Sequence, residues 1–245
     1  MSKTFIMGDI HGEYKKLISC LKQVNFNYDT DRLIQLGDVC DRGPDSYLVV
    51  EELLKIHNLI AIKGNHDDTF YQSIITGNNN LLFNQGGKET LESYIKHCNP
   101  DKSYAYNEIR DKYETDFDLD DYPQSHIQFF KKQLHYYIDK NNNCFVHGGF
   151  NRHEYIETQP VYNLIWDRDL WLAARSYGQM INNTHKFKMK DNFNEVFIGH
   201  TPTTYYNSTI PLKAANIWNL DTGCGKNEKD KLTLMNLETK EFVQA

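Results

Sequence analysis

Five short segments carry the residue types that divalent-metal chemistry needs, and each follows a short apolar run. They are Gly8-Asp9-Ile10-His11-Gly12, Gly37-Asp38-Val39-Cys40-Asp41-Arg42-Gly43, Gly64-Asn65-His66-Asp67, His147-Gly148-Gly149 and Gly199-His200-Thr201. A carboxylate and an imidazole two residues apart, as in Asp9 and His11, can bind one ion. Asp-x-His alone arises often by chance, so it is the repeated placement behind strand-like runs that points to one shared site. The candidate ligands are Asp9, His11, Asp38, Asn65, His147 and His200. Three imidazoles, two carboxylates and an amide oxygen suit two borderline divalent ions, with manganese expected and iron or zinc as alternatives. Asp38 is the expected bridge, which would hold the ions about 3.5–4 Å apart. A metal-bridging hydroxide would then attack phosphorus directly.

The other motif residues find roles around that centre. Arg42 can grip two phosphate oxygens in a fork, which lysine cannot do. Arg168, in Ile165-Trp166-Asp167-Arg168, offers a second clamp, and Asn65 can reach the substrate phosphate as well as a metal. His66, next to Asn65, is placed to protonate the leaving oxygen, with Asp41 orienting its ring and raising its pKa. No Ser or Cys nucleophile is required. Each residue also has a plainer reading. Arg42 and Arg168 could be structural ion pairs, Asp41 could cap the turn before Pro44, and the glycines could be ordinary turn formers. An isolated histidine is usually a hydrogen-bonded structural residue. His57, His97, His126, His135, His153 and His185 lie outside any motif and are read that way.

The elements that must position these groups read in order. Thr4 to Met7 is a strand, and Tyr14, Leu17, Ile18, Leu21 and Val24 have helical spacing. Arg32 to Leu36 is a second strand. Asp45 and Ser46 are candidate caps for a helix carrying Val49, Val50, Leu53 and Leu54. Leu59 to Ile62 is a third strand. This β-α-β-α-β order predicts parallel strands with the motif loops at their C-terminal ends. Helices are expected over 67–76, 89–98 and 125–134, and 67–135 reads as a mostly helical insertion within a single domain spanning 1–245. Residues 99–122 show no clear period. Asp116, Asp118 and Asp120 alternate there, but the glycine and glutamate of a calcium loop are missing, so the reading is a solvated acidic loop. Tyr136–Ile138 and Cys144–Val146 predict a hairpin that delivers His147. The final third reads as strands: Val196–Ile198 into His200, then Ile217–Leu220 and Lys231–Met235 as a further pair, and Glu241–Val243 last.

Length and charge set limits. At 245 residues there is ample chain for a sizeable core. A net charge of −6 argues against general nucleic-acid or membrane-surface binding. No run approaches the roughly 20 apolar residues of a membrane span. The early first strand predicts no signal peptide. Five cysteines without framework or CxxC spacing predict a reducing cytoplasm, with mostly structural cysteines.

The segments Gly8-Asp9-Ile10-His11-Gly12, Gly37 to Gly43 and Gly64-Asn65-His66 resemble the signature of the calcineurin-like metallophosphoesterases, phosphoprotein phosphatase branch. Gln85-Gly86-Gly87, Thr90 to Tyr94, Gly199-His200-Thr201-Pro202 and Leu220-Asp221-Thr222-Gly223 are similar to the small bacterial and bacteriophage lambda-type members. The resemblance runs from about Met1 to Asn236. It implies an α/β calcineurin-like metallophosphatase fold, a central β-sandwich flanked by helices, with a dinuclear metal site at the strand ends. It also implies manganese-supported activity on phosphoserine, phosphothreonine and often phosphotyrosine. The ligand and acid roles above agree with the family's. Three departures touch surroundings rather than ligands. Asp67 stands where Glu is usual, Gly149 follows His147-Gly148, and the Gly223-Cys224-Gly225 turn runs into the charged stretch Lys226 to Lys231. The runner-up activity is symmetrical diadenosine tetraphosphate hydrolysis, or cleavage of another small phosphoester or cyclic nucleotide. Relatives with the dinucleotide activity usually have Ala before the arginine, so Asp41 favours the protein phosphatase. A catalytically dead metal scaffold would be expected to have lost a ligand or the acid, and all are present.

Overall fold

A computed structural model describes residues 2–78, 83, 85–180, 187–227 and 229–245. Three parallel strands, β1 (Thr4–Met7), β2 (Arg32–Gln35) and β3 (Asn58–Ala61), form one side of the first sheet. Helices α1 (Tyr14–Gln23) and α2 (Ser46–Leu53) connect them. The antiparallel strands β11 (Thr233–Asn236) and β12 (Phe242–Gln244) complete the order β12-β11-β1-β2-β3. The second sheet has the order β6-β7-β8-β10-β9, from Tyr136–Ile138, Cys144–Val146, Val196–Ile198, Ile217–Asn219 and Leu212–Ala214. Within it β7, β8 and β10 run parallel.

Alternation along the strands explains how both faces of each sheet are covered. Phe5, Met7, Leu33 and Leu234 turn to a cluster shared with α1 and α2, while Ile6, Ile34 and Met235 turn the other way. There they meet Phe145 and Phe197 of the second sheet, whose rings stack at 5.0 Å. Cys144, Val146, Val196 and Ile198 point outward again, onto Leu164, Leu170 and Trp171. The result is two mixed sheets face to face with helices on both outer sides. The sequence-predicted α/β sandwich is therefore the observed fold.

Between β3 and β6 lie α3 (Asn65–Thr76), α4 (Lys88–Cys98) and α5 (Gln124–Lys132). The stretch 99–122, read as lacking periodic structure, contains an antiparallel hairpin of β4 (Tyr104–Asn107) and β5 (Lys112–Thr115). Its faces are half-exposed, so neither shows the apolar alternation that marks a buried strand. Two helices also escaped the strand reading of the final third: α6 (Val161–Trp166) and α7 (Asp169–Met180). The strands expected as a pair, β10 and β11, belong to different sheets. Asp45 is the N-cap of α2 but makes no side-chain cap bond, and the Ser46 hydroxyl pairs with Thr90 at 2.9 Å.

Candidate metal and phosphate site

All five motif segments reach the same edge of the sandwich, where β1, β2, β3, β7 and β8 end. The turns that aim them are tight enough to be strained. His11, Asp38, Asp41, Arg42 and His200 have φ values of 47°, 57°, 70°, 67° and 64°. Non-glycine residues pay roughly 1–2 kcal/mol for such left-handed backbone, so surrounding bonds must hold them. Ile10 and His11 N–H both donate to the Asp38 carbonyl, and Arg42 N–H donates to Gly86 O at 2.7 Å. The Asp67 carboxylate accepts from the backbone N–H groups of Asp38, Val39 and Gly64 at 2.9, 2.9 and 3.1 Å, and from Gln133 Nε2 at 2.9 Å. One buried carboxylate thus ties the loops after β2 and β3 together.

Glycine is required where those loops touch. A Cβ on Gly64 would lie 2.0 Å from Asp38 Oδ1, and one on Gly199 would lie 2.2 Å from Asp9 Oδ1. Neither glycine has a positive φ, so the demand is for space alone.

Asp38 Oδ2 is the meeting point of the site. It lies 3.3 Å from His147 Nε2, 3.6 Å from His11 Nε2 and 4.0 Å from His66 Nε2. Two compact groups share Asp38: His11–Asp38–His66, and Asp38–His147–His200, each with its ligand atoms within 4.8 Å of one another. Asn65 Oδ1 lies 3.1 Å from His147 Nε2, and His200 N–H donates to Asp9 Oδ2 at 3.1 Å. The six expected ligands are therefore gathered on one edge, along with His66. The rings are turned as metal ligands would need. His11 Nδ1 and His147 Nδ1 face the carbonyls of Cys40 and Leu36, both at 2.8 Å, which leaves Nε2 inward. His200 Nε2 lies 3.2 Å from Trp166 O, leaving Nδ1 inward.

The charge balance fits cations. Burial, then the neighbouring Asp221, pushes the Asp9 carboxyl well above its usual range. Asp38 is held well below it: burial opposes ionisation, but His147 and His66 outweigh that. Burial would lower His147, yet Asp38 and Asp9 raise it to about 9. Burial and Arg42 hold His11 well below its ordinary value, and burial, His147 and Arg168 pull His200 down to about 2. His11 and His200 are thus held neutral while Asp38 and Asp9 draw a proton onto His147, so this buried set of carboxylates and imidazoles attracts positive charge and suits divalent ions.

The phosphate-binding candidates border this centre. Arg42 Nη1 lies 2.7 Å from His11 Nε2 and its Nη2 lies 3.0 Å from His66 Nε2. Arg168 Nη1 donates to His200 O at 2.8 Å and to Thr201 Oγ1 at 3.0 Å. Asp41 Oδ2 lies 2.7 Å from His66 Nδ1. Burial raises the Asp41 pKa despite His66. Thr90 holds Asp41 from both sides, accepting from its N–H at 2.7 Å and donating to Oδ1 at 3.0 Å. A 340 Å³ cavity opens over Asp9, Asp38, Asn65 and His200. It also exposes Gln85, Trp166, Tyr205 and Lys226, to which no site role was given from sequence. The Gln85-Gly86-Gly87 run, the segment holding Arg168 and the charged turn after Gly225 hinted at three of them, and nothing in the sequence pointed to Tyr205. Asp67 was missed as a support because the groups it holds include backbone N–H donors of three loop residues, and Gln133 because its Asp67 partner lies 66 residues away. His57, His97, His126, His135 and His153 do not line this cavity, and His185 lies outside the described residues. A larger hollow of 450 Å³ at the opposite strand ends, beside Thr4, Arg32 and Asn58, contains none of the motif residues.

Comparison with known proteins agrees with this geometry. The sequence model of the calcineurin-like phosphoesterase family matches residues 2–223. Serine/threonine-protein phosphatase 2 of Salmonella typhimurium is 26% identical over 205 residues, covering 82% of this chain and 80% of that protein. The symmetrical bis(5'-nucleosyl)-tetraphosphatase of Erwinia tasmaniensis is 46% identical over 65 residues, 26% of this chain. That alignment spans 24% of the Erwinia protein, and one to the Escherichia coli serine/threonine-protein phosphatase 2, at 42% identity, spans 38% of it. Among solved structures, a provisionally assigned diadenosine tetraphosphatase superposes with a TM-score of 0.64 at 17% identity, over 100% of this chain and 93% of that one. At that identity the likeness concerns the fold.

Proposed function

The chain belongs to the calcineurin-like phosphoesterase family, and from that premise we propose that it is a metal-dependent protein phosphatase acting on phosphoserine and phosphothreonine. The observation that carries this reading is the His66–Asp41 contact of 2.7 Å beside Arg42. It supplies a held acid for the poor alkoxide leaving group of a phosphoserine ester. Support also comes from the Salmonella phosphatase, whose alignment spans most of both chains.

Asp9, His11, Asp38, Asn65, His147 and His200 are the residues that would hold two divalent ions, with manganese proposed. Such ions supply Lewis-acid activation of water and of the phosphoryl oxygens. The chain's own groups do the rest. Arg42 and Arg168 neutralise and orient the phosphoryl group, with Asn65 alongside. Arg42 leaves the His66 ring as it turns to the phosphate, which frees Nε2 to carry the proton. His66 then passes that proton to the departing oxygen, while Asp41 fixes the ring through Nδ1. The loops and helices of 67–135 are proposed as an insertion over one side of this site within a single domain. The five cysteines are free, which fits a reducing cytoplasm. No helix among the described residues is long and apolar enough to cross a membrane.

A second reading, symmetrical dinucleoside tetraphosphate hydrolysis, is favoured by one observation: a third cation, Lys226, faces the same cavity. The Erwinia relative carries that activity in its name. The two readings separate in a side-by-side rate assay on manganese-loaded protein. Faster turnover of a phosphoserine peptide is expected. Faster cleavage of diadenosine tetraphosphate would replace the first reading with the second.

A further inference from the structure

Lys226 is the cavity's cation that the chemistry above leaves without a task. It shares the 340 Å³ space with Arg42 and Arg168, in a chain whose net charge is −6. The two arginines are already engaged with the rings of His11 and His66 and with the loop at His200. The Lys226 ammonium instead meets Tyr205, donating to its hydroxyl at 2.9 Å and sitting 4.3 Å from its ring centroid. One hydroxyl takes one of three N–H groups, so the ammonium keeps donors for a ligand. Tyr205 is 64% exposed, and it therefore steers the lysine without burying it.

The pair is anchored on both flanks of the metal site. Tyr205 belongs to the 3-10 turn Thr203–Tyr206, just after His200-Thr201-Pro202. Lys226 follows Gly225, which packs so closely on His11 that a Cβ would lie 2.6 Å from the His11 Cβ. Two guanidinium forks suffice for the oxygens of one phosphoryl group. A compact ammonium on a flexible stem suits a further anion whose position varies.

We propose that Lys226, oriented by Tyr205, binds a second anionic group of the substrate beside the phosphoryl group being hydrolysed. The proposal rests on the phosphoester-hydrolase reading and makes Lys226 a determinant of substrate choice. The second anion is the neighbouring phosphate of a condensed chain, or a carboxylate next to a phosphoserine.

The test compares manganese-loaded wild type and Lys226→Met by calorimetry with inorganic phosphate and inorganic pyrophosphate. The same ligand solutions serve both proteins, so chelation by the ligand cancels. The variant is expected to lose about tenfold in affinity for pyrophosphate and clearly less for phosphate. Equal losses on both, or none, would overturn the proposal. Binding needs no turnover, so this result stands even where wild type hydrolyses no tested ester, which is the failure of the parent reading alone. Kinetics then separate the sources. A KM rise confined to diadenosine tetraphosphate assigns a phosphate, and one confined to a peptide with Glu beside phosphoserine assigns a carboxylate. Tyr205→Phe, which keeps the ring and removes the hydroxyl, is expected to show part of the same pyrophosphate loss. It serves as the deciding variant should Lys226→Met fail to load manganese, and no loss there would equally count against the proposal.

Discussion

The Asp41 carboxylate stands 2.7 Å from Nδ1 of His66, and both groups are buried beside the candidate metal ligands. A buried carboxylate directed at one ring nitrogen fixes which proton the other nitrogen can give. His66→Asn should therefore slow hydrolysis of a phosphoserine peptide by roughly 10²–10⁴. It should slow p-nitrophenyl phosphate far less, because that leaving group needs no proton. Asp41→Asn should show the same leaving-group pattern more weakly. Equal losses on both substrates would remove His66 from the acid role.

Asp67 is predicted to matter through the backbone it holds. Asp67→Ala leaves N–H groups of Asp38, Val39 and Gly64 without their acceptor. Each orphaned buried donor costs about 1–3 kcal/mol, so the three together are expected to cost at least about 3 kcal/mol in urea unfolding. Manganese affinity should fall roughly 10–100-fold, as for other outer supports of metal ligands. An unchanged unfolding midpoint would contradict the account of these bonds.

Space at two glycines should prove as necessary as the ligands. Gly64→Ala drives a methyl onto Asp38, and Gly199→Ala drives one onto Asp9. Neither substitution meets a φ penalty, so the expected phenotype is weakened metal binding in a folded chain. Circular dichroism and metal analysis on purified variants check this. Full manganese occupancy in either variant would show that the loops can yield.

His126 supplies a pH test away from the candidate metal site. Its ring is buried, with Nδ1 2.9 Å from Tyr94 OH and Nε2 2.8 Å from Glu51. Burial lowers its pKa, and Glu51 only partly opposes that. The folded chain thus holds His126 neutral where the unfolded chain would protonate it. Its contribution is full above an unfolded pKa of about 6.5 and is lost as pH falls toward the lower folded value. Wild-type stability should therefore decline below about pH 6.5 more steeply than that of His126→Gln. Parallel pH profiles by chemical denaturation would sink this prediction.

Much of the candidate site was legible in sequence because its proposed ligands sit directly after strands. Asp9, Asp38, Asn65, His147 and His200 each follow an apolar run within a few residues, and a parallel sheet brings such ends together. Helix α7 was missed although Leu170, Trp171, Ala174 and Tyr177 keep helical spacing on its inward face. The β4–β5 hairpin shows no apolar alternation, and its tyrosines Tyr104 and Tyr106 meet Tyr113 across the two strands. The partnerships of Asp67 with backbone groups and of Tyr205 with Lys226 join segments far apart or depend on turns. No local spacing encodes contacts of that kind.

The central claim is a dinuclear site centred on Asp38, and manganese titration of metal-stripped protein tests it most directly. Calorimetry and phosphopeptide turnover should be followed on the same samples. The account predicts two ions per chain, with turnover appearing as the second site fills. Full activity with a single ion, or turnover that does not depend on metal, would contradict it.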